Sequence, residues 1–204
     1  MSYLYDSLAR YGKIIDLNHY MNPSVFLKET EKYDWVPYNP RKNLPRWGQS
    51  ITSLDGGMSG IPDIDSVLEY CIKNNVELHE TDFNQKTQLW EYAKPALDQY
   101  SEYLGRTHVI KMDPGGCFPT HRDERNIEVP NFRLFIPLKH CNPPWNWFVL
   151  DKQVLQFEHG KVYFIDTCLE HTVFTTNATS YFIVANIRLC KESVEIVLKN
   201  MVSR

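Results

Sequence analysis

The stretch Thr107-His-Val-Ile-Lys-Met-Asp-Pro-Gly-Gly-Cys-Phe-Pro-Thr-His121-Arg-Asp123 marks the point where the period of the chain turns from helical to extended, and its reading decides the fold. Thr107 to Met112 reads as a strand, and Pro114-Gly-Gly as the turn that ends it. On an extended segment side chains alternate faces, so His121 and Asp123, two residues apart, project to one side. A second imidazole, His171 in Leu169-Glu170-His171, falls late in the same region. Two histidines and a carboxylate at three neighbouring corners of an octahedron suit ferrous iron and leave positions open for a co-substrate and dioxygen. Such a donor set points to an oxygenase.

Outward from this stretch, further runs rich in Val, Ile, Phe and Tyr follow: Phe132 to Leu138, Trp147 to Leu150, Val154 to Phe157, Val162 to Ile165, Thr172 to Phe174 and Tyr181 to Ile187. Asn142-Pro-Pro, His159-Gly and Thr176-Asn-Ala-Thr punctuate them at short intervals. Many short antiparallel strands with such turns predict a mainly β fold with flanking helices, its core a jelly roll or double-stranded β-helix of cupin-like shape. The expected organisation is one compact domain, with residues 1–105 as an N-terminal segment packing on a core of residues 106–204.

Upstream, the first sixty or so residues hold aromatic and proline-rich pieces such as Trp35-Val-Pro-Tyr-Asn-Pro and Asn43-Leu-Pro-Arg-Trp47-Gly, without a sustained period, and read as ordered loops around a short helix. Such an arm could wrap the core and supply substrate contacts, and packing alone would equally explain Trp35 and Trp47, so their role stays open. Ile64, Val67, Leu68 and Cys71 recur at helical spacing behind a capping carboxylate, Asp63 or Asp65. A second helix is expected from about Asn84 to Leu104, with an apolar stripe of Leu89, Trp90, Ala93, Leu97, Tyr100 and Leu104 and a kink or break at Pro95.

With 204 residues and 43% hydrophobic content the chain can bury a sizeable core. A formal charge of -3 without like-charge runs gives no electrostatic ground for nucleic-acid or membrane-surface binding. Five cysteines without a C-x-x-C pair argue against a disulfide framework or zinc ribbon, and free thiols are expected. No secretory-type start or membrane-length apolar run is present, so a cytoplasmic location is expected.

Spacing alone leaves the three residues open to another reading, a surface ion pair beside a hydrogen-bonded histidine. Four blocks, taken in order, add to it: Pro114-Gly-Gly-Cys-Phe-Pro-Thr-His121-Arg-Asp123; the arginine-led strand Arg133-Leu-Phe-Ile-Pro-Leu138; the glycine-led strand Gly160-Lys-Val-Tyr-Phe-Ile-Asp166; and a closing hairpin from His171 to Val184. Over about Arg106 to Ile187 the chain resembles the aspartyl/asparaginyl β-hydroxylase family of iron and 2-oxoglutarate-dependent oxygenases. With Asp123 it is similar to the branch that keeps a full His-x-Asp…His triad, which includes free-proline hydroxylases. In that family an arginine about ten residues past the second histidine grips the 2-oxoglutarate side-chain carboxylate, and here that position is Tyr181. Arg133, twelve residues after His121, is the candidate replacement because a guanidinium fork holds a carboxylate bidentately, with the Tyr181 hydroxyl as an auxiliary donor.

The resemblance implies Fe(II) at His121, Asp123 and His171, with 2-oxoglutarate and O2 as co-substrates. It implies hydroxylation of an unactivated C–H of an amino acid or of a protein or peptide side chain, releasing succinate and CO2. Two other classes stay open: a cupin-like metal protein using zinc or manganese in different chemistry, and a non-enzymatic binding module on the same fold.

Overall fold

The computed structural model describes residues 3–40, 43–123 and 130–202. In chain order its helices and strands are α1 (Tyr3–Ala9), β1 (Ile14–Tyr20), α2 (Pro23–Thr30), β2 (Val36–Pro37), β3 (Arg46–Ser50), β4 (Thr52–Ser53), α3 (Val67–Asn74), β5 (Gln85–Lys86) and α4 (Trp90–Leu97). Then follow β6 (Leu104–Met112), β7 (Cys117–His121), β8 (Asn131–Lys139), β9 (Asn146–Leu150), β10 (Gln153–Val154), β11 (Lys161–Ile165), β12 (His171–Thr175), β13 (Ser180–Arg188) and α5 (Lys191–Lys199). A large sheet runs β1-β11-β8-β13-β6-β3-β2, and a smaller one β10-β9-β12-β7. Every described pairing in these sheets is antiparallel. The two sheets face each other as a double-stranded β-helix, a jelly roll.

Period-2 alternation places the core on both faces of the large sheet. Tyr163 and Ile165 of β11, Phe135 of β8, Phe182 of β13 and Ile110 of β6 meet Phe148, Leu150 and Val173 of the small sheet in the space between the layers. Their neighbours Val162, Phe164, Leu134, Ile136, Ile183 and Val109 face the other way, onto Phe26 of α2, Trp90, Ala93 and Leu97 of α4 and Val194 and Val197 of α5. A sheet covered on both faces needs apolar residues at nearly every position, which is why β8, β11 and β13 read as near-continuous apolar runs.

Local chemistry explains the joints. Between β6 and β7, Gly116 N–H donates to Asp113 O at 2.8 Å across Pro114 and Gly115, and Gly115 has φ of 86°, the positive value that a type II turn demands after proline. In β8, Pro137 cannot donate to a ladder, yet β8 is a central strand. It is tolerated because β11 pairs only with Arg133 to Phe135 and the ladder to β13 slips between Tyr181 and Phe182, opposite Pro137.

Upstream the outcome differs from the sequence reading. The supposed loops contain β1, β2 and β3, all members of the large sheet. The first expected helix is α3, but its cap is Ser66, whose side chain accepts from Glu69 N–H, and none of its residues is buried. Ile64 lies outside it and is the buried one, while Leu68 is exposed. The second helix spans only Trp90–Leu97 with Pro95 inside it, followed by a 3-10 turn at Asp98–Tyr100, and Leu104 already belongs to β6. Its stripe is buried as expected. Of the expected Val154 to Phe157 run only Val154 lies in a strand, β10. All five cysteines are free.

Candidate metal centre

β7 and β12 are neighbours in the small sheet, with His121 and His171 directly opposite in register and their ring centroids 4.2 Å apart. The strand ends at His121, so strand alternation is not what brings Asp123 alongside. Its backbone N–H donates to Thr167 O at 2.9 Å, and this bond folds the chain after β7 back over the centre. One ligand atom from each of His121, Asp123 and His171 then lies within 4.8 Å of the others.

Each imidazole is oriented by backbone. His121 Nδ1 lies 2.6 Å from Pro119 O and His171 Nδ1 2.9 Å from Leu169 O. A carbonyl only accepts, so each Nδ1 carries the proton and each Nε2 keeps its lone pair for a cation. Burial lowers the pKa of His171, keeping the ring in the neutral form that coordination needs. Asp123 Oδ1 is 3.6 Å from His121 Nε2. Its Oδ2 is buried without a directed hydrogen bond and has Arg133 Nη1 at 2.6 Å as an ion pair. Two imidazole nitrogens and a carboxylate oxygen fit a divalent transition ion, iron included.

Behind the centre a cavity runs between the sheets. Ile110, Phe118, Phe135, Phe148, Val173 and Phe182 make its apolar walls, and Tyr38, Arg106, His108, Arg133, Thr167 and Asn186 supply its polar groups. Arg133 donates from Nε to Asn186 Oδ1 at 3.1 Å, and Asn186 Nδ2 donates to Glu80 Oε2 and to Arg106 O, both at 2.8 Å. Arg106 donates from Nη1 to Glu80 Oε1 at 3.2 Å and from Nε to Asp63 O at 2.6 Å. A polar chain therefore leads from Asp123 through Arg133 to the 3-10 turn at Glu80–Asp82. Burial, reinforced by the positive charges of Arg106 and Arg133, holds His108 well below its usual pKa.

Of the residues expected from sequence, His121, Asp123, His171 and Arg133 come together. Tyr181 does not, which corrects its reading as an auxiliary donor. On β13 the inward residues are Phe182, Val184 and Asn186, so Tyr181 faces outward, its ring 5.8 Å from that of Trp35. Arg188 lies at the exposed end of β13, its guanidinium 5.7 Å from the Tyr103 ring centre. Asp166 is a turn residue, accepting from Tyr5 Oη and Cys168 N–H. Arg106, His108, Asn186 and Glu80 were not found from sequence. The signal for three of them was there, since Arg106 and His108 alternate with outward residues of β6 and Asn186 shares parity with inward Phe182.

Fold and site together are those of a jelly-roll protein with a cluster, His121, Asp123 and His171, that could hold a metal ion. A sequence model described as aspartyl/asparaginyl beta-hydroxylase matches residues 69–186, more than half of the chain. The chain belongs to the aspartyl/asparaginyl β-hydroxylase family of Fe(II)/2-oxoglutarate-dependent oxygenases. Among solved structures it is similar to a 2OG-Fe(II) oxygenase family oxidoreductase from Burkholderia pseudomallei, at 13% identity, 93% coverage of this chain and 91% of that one, and a TM-score of 0.53. A prolyl-4-hydroxylase from Pseudomonas putida gives 13% identity, 92% and 97% coverage and a TM-score of 0.49. A prolyl hydroxylase from Trichoplax adhaerens, in complex with a hypoxia inducible factor peptide fragment, gives 14%, 91%, 88% and 0.48. At 13% identity the likeness to the Burkholderia pseudomallei structure is one of fold alone. No curated protein matches the chain. No helix among the described residues is long and apolar enough to cross a membrane.

Proposed function

We propose that His121, Asp123 and His171 hold Fe(II), and that the enzyme hydroxylates an unactivated C–H of an amino acid or of a peptide or protein side chain. The observation that carries this reading is the convergence of two imidazole Nε2 atoms, their Nδ1 protons tied to Pro119 and Leu169 carbonyls, with the Asp123 carboxylate. When bound, iron with 2-oxoglutarate and dioxygen supplies the oxidation, in which the keto acid becomes succinate and CO2 and one oxygen atom enters the substrate. The chain's own residues position the reactants. Arg133, paired with Asp123 and steadied by Asn186, keeps a cation beside the metal-binding carboxylate and offers its remaining N–H groups to a carboxylate of the keto acid. Phe118, Phe148, Val173 and Phe182 line the cavity with apolar surface and exclude water from it.

The test is succinate release by purified, iron-loaded protein in the presence of 2-oxoglutarate and a panel of amino acids and peptides, with a gain of one oxygen in one of them. Absence of 2-oxoglutarate binding and turnover across the panel would reject the assignment. His171→Ala is expected to abolish iron binding, and a variant that retains full iron occupancy removes His171 from the ligand set. Metal analysis of the purified protein separates iron from the zinc or manganese of a cupin-like alternative.

A further inference from the structure

The inward face of the large sheet is laid out in cross-strand rows. Arg133 of β8 and Asn186 of β13 are paired in one row, while Phe135, Val184 and His108 of β6 form the next, with Ser50 of β3 beyond. A row step, two residues along a strand, is about 6.6 Å. Arg133 stands at the metal end, against Asp123. His108 stands one row deeper, in the wall of the same cavity.

His108 is 3% exposed, and its Nδ1 has no hydrogen-bond partner among the described residues. Its ring lies against Tyr38, with centroids 5.5 Å apart, and that packing holds it in place. A buried imidazole nitrogen without a partner is uncommon and calls for an absent one. The surroundings say what kind. Arg106 and Arg133 both act on His108 with positive charge, and the Arg106 guanidinium gives Nε to the Asp63 carbonyl and Nη1 to Glu80. A neutral imidazole carries one N–H, and a desolvated N–H in a positive field suits an anion. Tyr181 is turned away, and the inward residues of β13 at this depth, Phe182 and Val184, offer no donor.

We propose that His108 donates to the far carboxylate of the keto acid, one row deeper than Arg133, and so performs here the anchoring that the outward-facing Tyr181 does not. This rests on the reading of the site given under the proposed function. The row step matches the reach of a five-carbon diacid whose other end lies beside Arg133 and Asp123. His108 thereby selects for a keto acid with a second carboxylate.

The test is anaerobic titration of the full-length, Fe(II)-loaded protein, followed by the visible charge-transfer band. The probes are 2-oxoglutarate and 2-oxopentanoate, which has a methyl group in place of the far carboxylate. Wild type is expected to bind 2-oxoglutarate much more tightly. His108→Leu is expected to lose roughly 10- to 100-fold in 2-oxoglutarate affinity, the worth of a hydrogen bond to a charged group, with 2-oxopentanoate affinity unchanged. His108→Gln, which keeps an N–H donor, is expected to recover part of the loss. Equal affinities of wild type for the two acids, unchanged discrimination in His108→Leu, or equal loss for both acids would each overturn the proposal, the last by making the role structural. A loss seen only in binding of the hydroxylated substrate would assign the row to that substrate and overturn it as well. A wild type that shows a band with neither acid overturns the reading of the metal site itself.

Discussion

Asn186 shows how much one buried side chain can hold in place. Its oxygen accepts from Arg133 Nε, while its amide nitrogen serves Glu80 and the Arg106 carbonyl, and the residue is 1% exposed. Asn186→Leu keeps the volume but leaves a guanidinium N–H, a carboxylate oxygen and a carbonyl without their partner. The expected cost is roughly 2 to 4 kcal/mol, since buried groups left unpaired forfeit their desolvation and charged ones forfeit more. It is read as a lower urea midpoint with an unchanged slope. The clustering of His121, Asp123 and His171 could be anticipated because metal-ligand chemistry narrows the choice of residue types, and that of Arg133 because it leads a strand in a recognisable block. Tyr181 misled because counting from His171 ignores the slip in the β13 ladder beside it. His108 was passed over as one histidine among several, since nothing in a linear sequence says that a ring nitrogen will be buried without a partner.

At the level of elements, β8, β11 and β13 were legible because they are packed on both faces and their apolar runs leave few alternatives, whereas β7 was not among the expected runs. β3, Arg46-Trp-Gly-Gln-Ser50, has no β-branched residue. It is a strand because β6 offers it a ladder from Met112 to His108, a partner distant in sequence. The apolar stripe on α3 misled in the opposite direction, since Leu68 sits at helical spacing yet remains exposed. Close approach between elements sets further limits. A Cβ on Gly105 would fall 2.3 Å from Glu80 O, so the start of β6 and the 3-10 turn carrying Glu80 can meet only over a glycine. Gly105→Ala is expected to push them apart at a cost of about 2 to 3 kcal/mol. Calorimetry should show Tm lower by roughly 5 to 10 °C, and an unchanged Tm would mean that the turn yields freely.

Over the whole molecule, stability should fall on acidification. His108 is buried, and desolvation together with Arg106 and Arg133 lowers its folded pKa well below the usual imidazole range. Desolvation lowers His19 and His159 as well. Below about pH 6.5 the unfolded chain takes up protons that these folded imidazoles refuse, so the unfolded state gains as pH drops. For His108 the slope approaches about 1.4 kcal/mol per pH unit between the unfolded and folded pKa values. Urea midpoints of the metal-free protein should therefore drop from pH 7.5 to pH 5.5, less steeply in His108→Gln. The sequence by itself determined the β character of the core, most of its strand runs along the chain and the residue types of the candidate metal centre, because alternation and donor chemistry are local properties. Only the tertiary structure decided that segments before residue 50 complete the large sheet, that Asp123 reaches the centre through Thr167, and that Tyr181 faces away from the cavity while His108 faces into it. Those outcomes depend on ladder register and on partners far apart in the chain, where a slip of one residue reverses the face on which a side chain stands.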